Sequence, residues 1–423
     1  MEKFNAIEYL MNFGKSGKPV TDLSRIKKLL ELLDNPQKNL KFIHIAGTNG
    51  KGSVLEEISY CLMKNSLKTG QFTSPFIRRY NDRIRINGKE IPNEKLDVYC
   101  EKISKLHITN ECSQFEITFA AALLWFSEEK CDVCVLETGI GGLLDATNII
   151  EKPLLSVITS VSMDHMALLG DTIEKITRQK AGIIKQNSAC VTDAFNCAKT
   201  IEIIKKECIS KNAKFIIPDK SECRLTKAYS DGTEFIYKNK KYKTAMAGIH
   251  QMHNSILFIE AMEYLKKYFD ITEKSISGSI SNAKVEGRIQ LIKKSPCIYL
   301  DGGHNEDGAE ALCSFIENTE PEKPVTAVTG LIKTKDYKTV CEKFSKVFDK
   351  IICTDGFTYN AVEKEKLAEL FDSEKVSVMD IDNACKWVNS QEKGTYFFCG
   401  SLYLVSRILD IKDNISENSN AKV

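Results

Sequence analysis

Residues 44–62, HIAGTNGKGSVLEEISYCL, set three glycines, a lysine and a serine between an apolar strand and a helix. Gly47, Gly50 and Gly52 let the backbone bend and turn successive N–H groups toward one point. The helix that starts beyond them adds unpaired N–H donors and a partial positive charge. Lys51 supplies a point charge for β- and γ-phosphates, and Ser53 a hydroxyl for Mg2+. The pattern departs from GxxxxGK[ST]: Gly47 lies three residues before Gly50, and Gly52 stands between Lys51 and Ser53. A glycine-rich turn without a ligand is the bland alternative. It gives no reason for the order strand, glycines, lysine, serine, helix.

Glu137 ends the apolar run CDVCVLE just before TGIGG, and Asp164-His165 follow the run LLSVITSVSM. Acidic groups at the C-terminal edge of a parallel sheet lie where ligands bind. Mg2+ prefers oxygen, so His165 is a less usual ligand, and a hydrogen-bonded structural histidine is the alternative. Lys180, in RQKAGIIK, follows a helical stretch (172–179), and its spacing alone does not single it out. Asp301, His304 and Asn305, in YLDGGHN, again follow a strand. They read either as a ligand site at an interdomain cleft or as a helix N-cap by Asn305 or Asp307. Cys131 and Cys134 form the chain's CxxC but sit in a buried-strand pattern with no second CxxC nearby, which argues against zinc or redox use.

These residues need a scaffold, and the rest of the chain supplies an α/β pattern. Apolar β-rich runs at 42–47, 131–139 and 154–161 alternate with helical stretches at 54–65 and 118–130. Continuous rather than alternating apolar strands suit parallel strands covered on both faces. Residues 219–245, polar and rich in Tyr and Lys with a DG turn, read as a small antiparallel element, and a helix follows over 252–268. Strands at 297–303, 324–330, 350–356, 375–379 and 395–400, with helices at 336–348 and 361–371 among the segments between them, make a second α/β domain. The expected division is 1–290, a P-loop-type ATPase domain with a mostly parallel sheet, and 291–423, a Rossmann-like domain. The polar tail after Lys412 is expected to fray.

The 423 residues correspond to about two or three domains. Lys plus Arg number 59 and Asp plus Glu 57, a net charge of +2, which argues against a nucleic-acid-coating protein. No apolar run of membrane-spanning length occurs, and the N-terminus has no signal-peptide core. The 15 cysteines, an odd number, read as reduced thiols of a cytoplasmic protein.

The sequence resembles the folylpolyglutamate synthase/dihydrofolate synthase family of the Mur ligase superfamily. The resemblance runs through HIAGTNGKGS, TSPFIRRYNDRIRING, SQFEITF, LETGIGGLLDATN, SMDHMALLG, RQKAGII, GIHQMHN, EGRIQ, DGGHN and CGSLYLV, in the family's order across nearly the whole chain. It implies ATP-dependent amide ligation: a carboxylate takes the γ-phosphate, and the amine of L-glutamate displaces phosphate from the acyl phosphate. By the same resemblance, Asn49, Gly50, Lys51, Gly52 and Ser53 hold the triphosphate. Ser53, Ser74, Glu137 and His165 serve two Mg2+ ions, and Lys180 is the lysine that becomes carbamylated. Asn254, Arg288 and Asp301 match positions around adenine and ribose, with ATP between the domains. Arg79, Ser113, Phe115 and Asp145 match dihydropteroate or folate contacts, and His304 and Ser401 lie toward glutamate. A monomer is expected. Four positions depart from the pattern: Asp82, Leu143 in place of an arginine, Gln179 and Gly303. Leu143 removes a cation from the substrate face. A cell-wall Mur ligase is disfavoured because the phosphate loop begins about 45 residues in, leaving no room for a UDP-sugar domain. A nucleotide switch without ligase chemistry leaves DGGHN unexplained.

Overall fold

The computed structural model describes residues 4–13 and 22–420, with side chains described up to residue 411. Among the described residues, seventeen strands form three sheets. The chain groups into two compact units. One takes the chain up to Lys220 with His253–Ile280, the other Ser221–Met252 with the chain from Ser281 on.

The first unit holds an eight-stranded sheet. Its strands are β1 (Phe42–Ala46), β2 (Thr69–Phe72), β3 (Ile84–Ile86), β4 (Lys89–Glu90), β5 (Val133–Glu137), β6 (Leu155–Ile158), β7 (Ala189–Thr192) and β8 (Lys214–Ile216). They lie in the order β4-β3-β2-β5-β1-β6-β7-β8. The pairs from β2 to β8 are parallel; β3 and β4 close one edge antiparallel. Every residue of β1, β5, β6 and β7 is buried, as their unbroken apolar runs require. After β1 the chain builds β2 and β5 on one side, then β6 on the other, so β1 marks a topological switch point. Crevices outside the C-terminal strand ends at such points receive ligands. Register places Ile45 beside Glu137 and Ala46 beside Ile158, so the ends of β5, β1 and β6 share that edge.

In the second unit, β9 (Cys223–Tyr229), β10 (Gly232–Tyr237) and β11 (Lys240–Thr244) form the antiparallel element read from the sequence. The third sheet runs β12-β13-β17-β14-β15-β16: β12 (Gln290–Lys294), β13 (Cys297–Asp301), β14 (Val325–Thr329), β15 (Lys350–Cys353), β16 (Val376–Val378) and β17 (Thr395–Cys399). It is parallel except for β12. Tyr299, Phe315, Phe344, Phe348 and Phe397 fill its core. The compact units group the chain differently from a single cut at 290. The three-stranded element belongs with the C-terminal sheet because β9 packs on the helix Glu306–Thr319. The helix Leu402–Asn420 runs into the tail, with no Pro or Gly after Lys412 to end it, and residues 421–423 lie outside the described set.

Helix Lys51–Lys64 carries a buried acid. Glu57 is fully enclosed; Ser255 Oγ donates to one of its oxygens at 2.5 Å, and the other, Oε2, has no partner among the described residues. Burial pushes its carboxyl up to about 8, against the pull of the Ser255 bond, so it is a neutral acid at pH 7. A carboxyl raised on folding contributes stability that is complete below its unfolded value near 4.5 and is lost as pH rises through about 8. Glu57→Gln keeps the shape and an acceptor but cannot ionise. Urea melts from pH 5 to 9 should show the wild type losing on the order of 4 kcal/mol relative to Glu57→Gln. Parallel curves would refute the buried-acid assignment.

Candidate active site

The phosphate loop is held against the end of β6. Thr48 N donates to Ser160 O at 2.6 Å, and Ser162 N donates to Thr48 Oγ1 at 3.0 Å. The Thr159 and Ser160 hydroxyls both donate to Asn49 O, at 2.7 and 3.2 Å. Gly50 starts the helix Lys51–Lys64 at φ +86°, and a Cβ there would stand 2.3 Å from Asn254 Oδ1. Conformation and space therefore both require glycine at this position. Asn254 thus lies against the loop itself, within the first unit.

Two lysines converge on one carbonyl. Lys51 Nζ donates to Gly47 O at 3.2 Å and to Thr48 O at 3.1 Å, and Lys180 Nζ donates to Gly47 O at 2.7 Å. Lys180 is buried on the helix Ile173–Ala181. Glu137 answers this charge from the end of β5. Its Oε1 is 3.8 Å from Lys51 Nζ, and its Oε2 accepts Ser74 N at 3.3 Å. A Cβ on Gly52 would come to 3.9 Å from Glu137 Oε2, so the first helical turn faces the same carboxylate. Ser53 is buried in that turn. Lys51 and Lys180 bring two ammonium groups to the loop, the sign of charge that attracts a polyphosphate.

His165 stands apart in character. It adopts φ +51°, its side chain is 37% exposed, and its Nε2 lies 3.9 Å from Asp164 Oδ2. Among the described residues no three His, Cys, Asp or Glu side chains converge as a metal cage. Mg2+ is commonly held by one or two carboxylates together with substrate phosphates. Glu137 with Ser74 beside it, and Ser53 in the helix, offer the hard oxygen donors for that mode.

Beyond Glu137 the chain makes a tight loop around Asp145. Gly139 N and Ile140 N donate to Asp145 Oδ2 at 2.9 and 3.0 Å; Thr147 N and Oγ1 donate to Oδ1 at 3.0 and 2.5 Å. Burial raises the Asp145 carboxyl while these four bonds pull it down. With both oxygens already taking two bonds each, Asp145 shapes the loop. It could accept a pterin N–H only by releasing one of these donors. Phe115 presses on the same loop: a Cβ on Gly139 would stand 2.9 Å from Phe115 Cζ. The half-buried Phe115 ring meets Phe72 edge-on at 5.4 Å.

Two substrate expectations find other work. Ser113 is the N-cap of the helix Gln114–Glu128, in a reciprocal capping box with Glu116, and is buried. Arg79 is exposed with Nε 3.8 Å from Glu90 Oε2. Leu143 is exposed, and its N–H donates to Gln179 O at 2.6 Å.

The second unit has its own strand-end cluster. Asp301, at the end of β13, is buried; it accepts Ile289 N at 3.0 Å and Gly303 N at 2.9 Å. Burial raises its carboxyl, and the Arg288 guanidinium beside it opposes the rise. His304 Nδ1 lies 3.0 Å from Gly302 O, so that nitrogen carries the proton. Asn305 caps the helix Glu306–Thr319 by accepting Gly308 N at 2.9 Å, the bland alternative for that residue. Ser401 follows β17, which pairs with β13; its hydroxyl accepts Tyr403 N at 3.2 Å. Sequence reasoning passed over Thr147, whose N–H and hydroxyl bond Asp145, and His44, whose Nε2 lies 2.8 Å from that hydroxyl. A lone histidine in an otherwise apolar strand was the available signal.

The glycine loop, its two lysines and a second parallel-sheet unit on the same chain are the parts of a Mur-type ATP-dependent ligase. The Mur ligase middle domain matches residues 45–262, and the Mur ligase glutamate ligase domain matches 287–402. A Bacillus subtilis dihydrofolate synthase/folylpolyglutamate synthase is 32% identical over 91% of this chain and 94% of its own length. A Saccharomyces cerevisiae dihydrofolate synthetase is 30% identical over 94% of this chain and 99% of its own. A crystal structure of Mycobacterium tuberculosis folylpolyglutamate synthase complexed with ADP and AMPPCP superposes with a TM-score of 0.85 at 27% identity, covering 96% of this chain and 97% of that one. The chain belongs to the dihydrofolate synthase/folylpolyglutamate synthase family of Mur ligases.

Proposed function

We propose that this chain joins L-glutamate by an amide bond to the carboxylate of dihydropteroate and to that of a folate, at the expense of ATP. The carboxylate oxygen attacks the γ-phosphorus and ADP leaves. The glutamate amine then attacks the acyl carbon, its proton is lost, and phosphate leaves. The observation that carries this reading is the convergence of Lys51 and Lys180 on Gly47 O beside Glu137. In this reading Asn49 to Ser53 cradle the phosphates, and Lys51 stabilises charge on the transferring group. Ser53, Ser74 and Glu137 would hold Mg2+, with His165 and a carbamylated Lys180 serving a second ion. Bound Mg2+ supplies a Lewis acid for the phosphoryl oxygens. Asn254, beside Gly50, and Arg288 with Asp301 serve the nucleoside; His304 and Ser401 serve glutamate. Residues up to about 290 hold the triphosphate and the rest bring in glutamate, with the grouping of 221–252 noted above. We read the chain as a cytoplasmic monomer; its fifteen cysteines all carry free thiols, as a reducing compartment favours. No helix among the described residues is long and apolar enough to cross a membrane.

The test offers ATP, Mg2+ and L-glutamate with dihydropteroate or tetrahydrofolate in separate reactions and weighs the products. Both should gain one glutamyl unit or more. Gain on tetrahydrofolate alone would leave a folylpolyglutamate synthase; gain on neither would overturn the reading. Phe115 supports the aromatic half of it. Phe115→Ala should raise KM for dihydropteroate about tenfold by removing a stacking face, and leave KM for ATP unchanged. An unchanged KM for dihydropteroate would remove Phe115 from the site.

A further inference from the structure

His44 is the middle residue of β1, three residues before the phosphate loop, with no exposed surface. It pairs in register with Leu136 of β5 on one side and Ser156 of β6 on the other. Its Nε2 lies 2.8 Å from Thr147 Oγ1. That hydroxyl has one proton, and it points at Asp145 Oδ1, 2.5 Å away, because a carboxylate only accepts. Thr147 must therefore accept from His44, which puts the imidazole proton on Nε2. Nδ1 is then a bare acceptor, buried with no partner among the described residues. Burial, helped by Lys185, pushes the ring down to about 3, so it stays neutral.

An unpartnered buried nitrogen is a cost that leucine or valine at this position would avoid. What the histidine provides is a directed N–H. It forms the first link of a chain that runs His44 to Thr147 to Asp145 to the Gly139 and Ile140 amides. The chain begins on the strand that carries the phosphate loop. It ends on the loop that leaves Glu137 and presses Gly139 against Phe115. We propose that His44 is a positioning residue for the aromatic substrate, setting the shape of the Gly139–Thr147 loop in register with the phosphate loop. The substrate assignment rests on the function proposed above; the loop geometry does not.

Two variants and two readouts test it. His44→Leu fills the space without a donor, and His44→Gln restores an N–H where Nε2 stood. In His44→Leu, KM for dihydropteroate or folate should rise about tenfold while KM for ATP stays within about twofold, and the melting temperature should not fall. His44→Gln should recover most of the KM. Amide exchange at Gly139 and Ile140 should quicken in His44→Leu and return toward wild type in His44→Gln. An unchanged KM in an active enzyme, an equal rise in KM for ATP, or a lower melting temperature with no rescue by glutamine would each overturn the assignment. If the wild type used neither pteroate nor folate, the functional reading would fail. The exchange measurement would still decide the loop: unaltered exchange in His44→Leu overturns the proposal and quickened exchange supports it.

Discussion

Lys51→Ala should cut turnover at saturating ATP by a factor of about 10² to 10³, and Glu137→Ala by at least as much. Lys51 Nζ is held by the carbonyls of Gly47 and Thr48, at 3.2 and 3.1 Å, so its charge is placed before the nucleotide arrives. A preplaced cation needs no reorganisation as charge builds on the transferring phosphoryl group, and losing such a group costs about 3–4 kcal/mol of transition-state stabilisation. Glu137 balances that cation at 3.8 Å and holds Ser74 N at 3.3 Å. Its removal would take away the hard oxygen proposed above for Mg2+ and would also free the Ser74 turn. Neither change opens a large core cavity, so both variants should keep the wild-type circular dichroism and melt within a few degrees of it. A near-normal rate in a folded variant would show that its side chain does not serve phosphoryl transfer.

The phosphate loop was legible because its chemistry is local. Gly47, Gly50, Lys51 and Ser53 sit within seven residues, and the apolar runs around them announce strand and helix. β1, β5 and β6 were legible for the same reason, as fully buried parallel strands carry no alternation to confuse the reading. Ser113 has a local reading the sequence also carried: with Glu116 three residues on it forms a capping box. Asp145 was singled out only through the resemblance, and its loop bonds come from turns that no periodicity reports. The His44 contact joins residues 103 positions apart, and only the parallel pairing of β1 brings it within reach of the loop after β5. Lys180 shows the same limit. On its own helix it is one basic residue among several, and it gains meaning only when that helix packs beneath Gly47. The antiparallel element was read correctly as structure, while its attachment to the C-terminal sheet depended on a packing partner distant in the chain.

Lys180→Ala should lose roughly 10²-fold or more in turnover, and Lys180→Glu should recover part of it. Two ammonium groups bonded to one carbonyl oxygen repel each other at short range. Carbamylation relieves that repulsion. The ε-amine as free base attacks CO2, an N–C bond forms, and a proton leaves the nitrogen. The product keeps one N–H, so the bond to Gly47 O, now 2.7 Å, can persist while two anionic oxygens are added. Those oxygens are the donors Mg2+ prefers. The opposing reading is that Lys180 stays an ammonium and merely pins the loop. The two readings separate cleanly. If the carbamate is used, stripping dissolved CO2 should lower activity, bicarbonate should restore it, and a metal-bound crystal should show a carboxylate on the ε-nitrogen. Glutamate, an anion of similar reach, should then substitute better than alanine. A pinning ammonium predicts indifference to CO2, a bare nitrogen with metal bound, and a glutamate variant worse than the alanine one, because a carboxylate cannot donate to Gly47 O and repels the incoming phosphates. That pattern, or full activity in Lys180→Ala, would return Lys180 to a structural role.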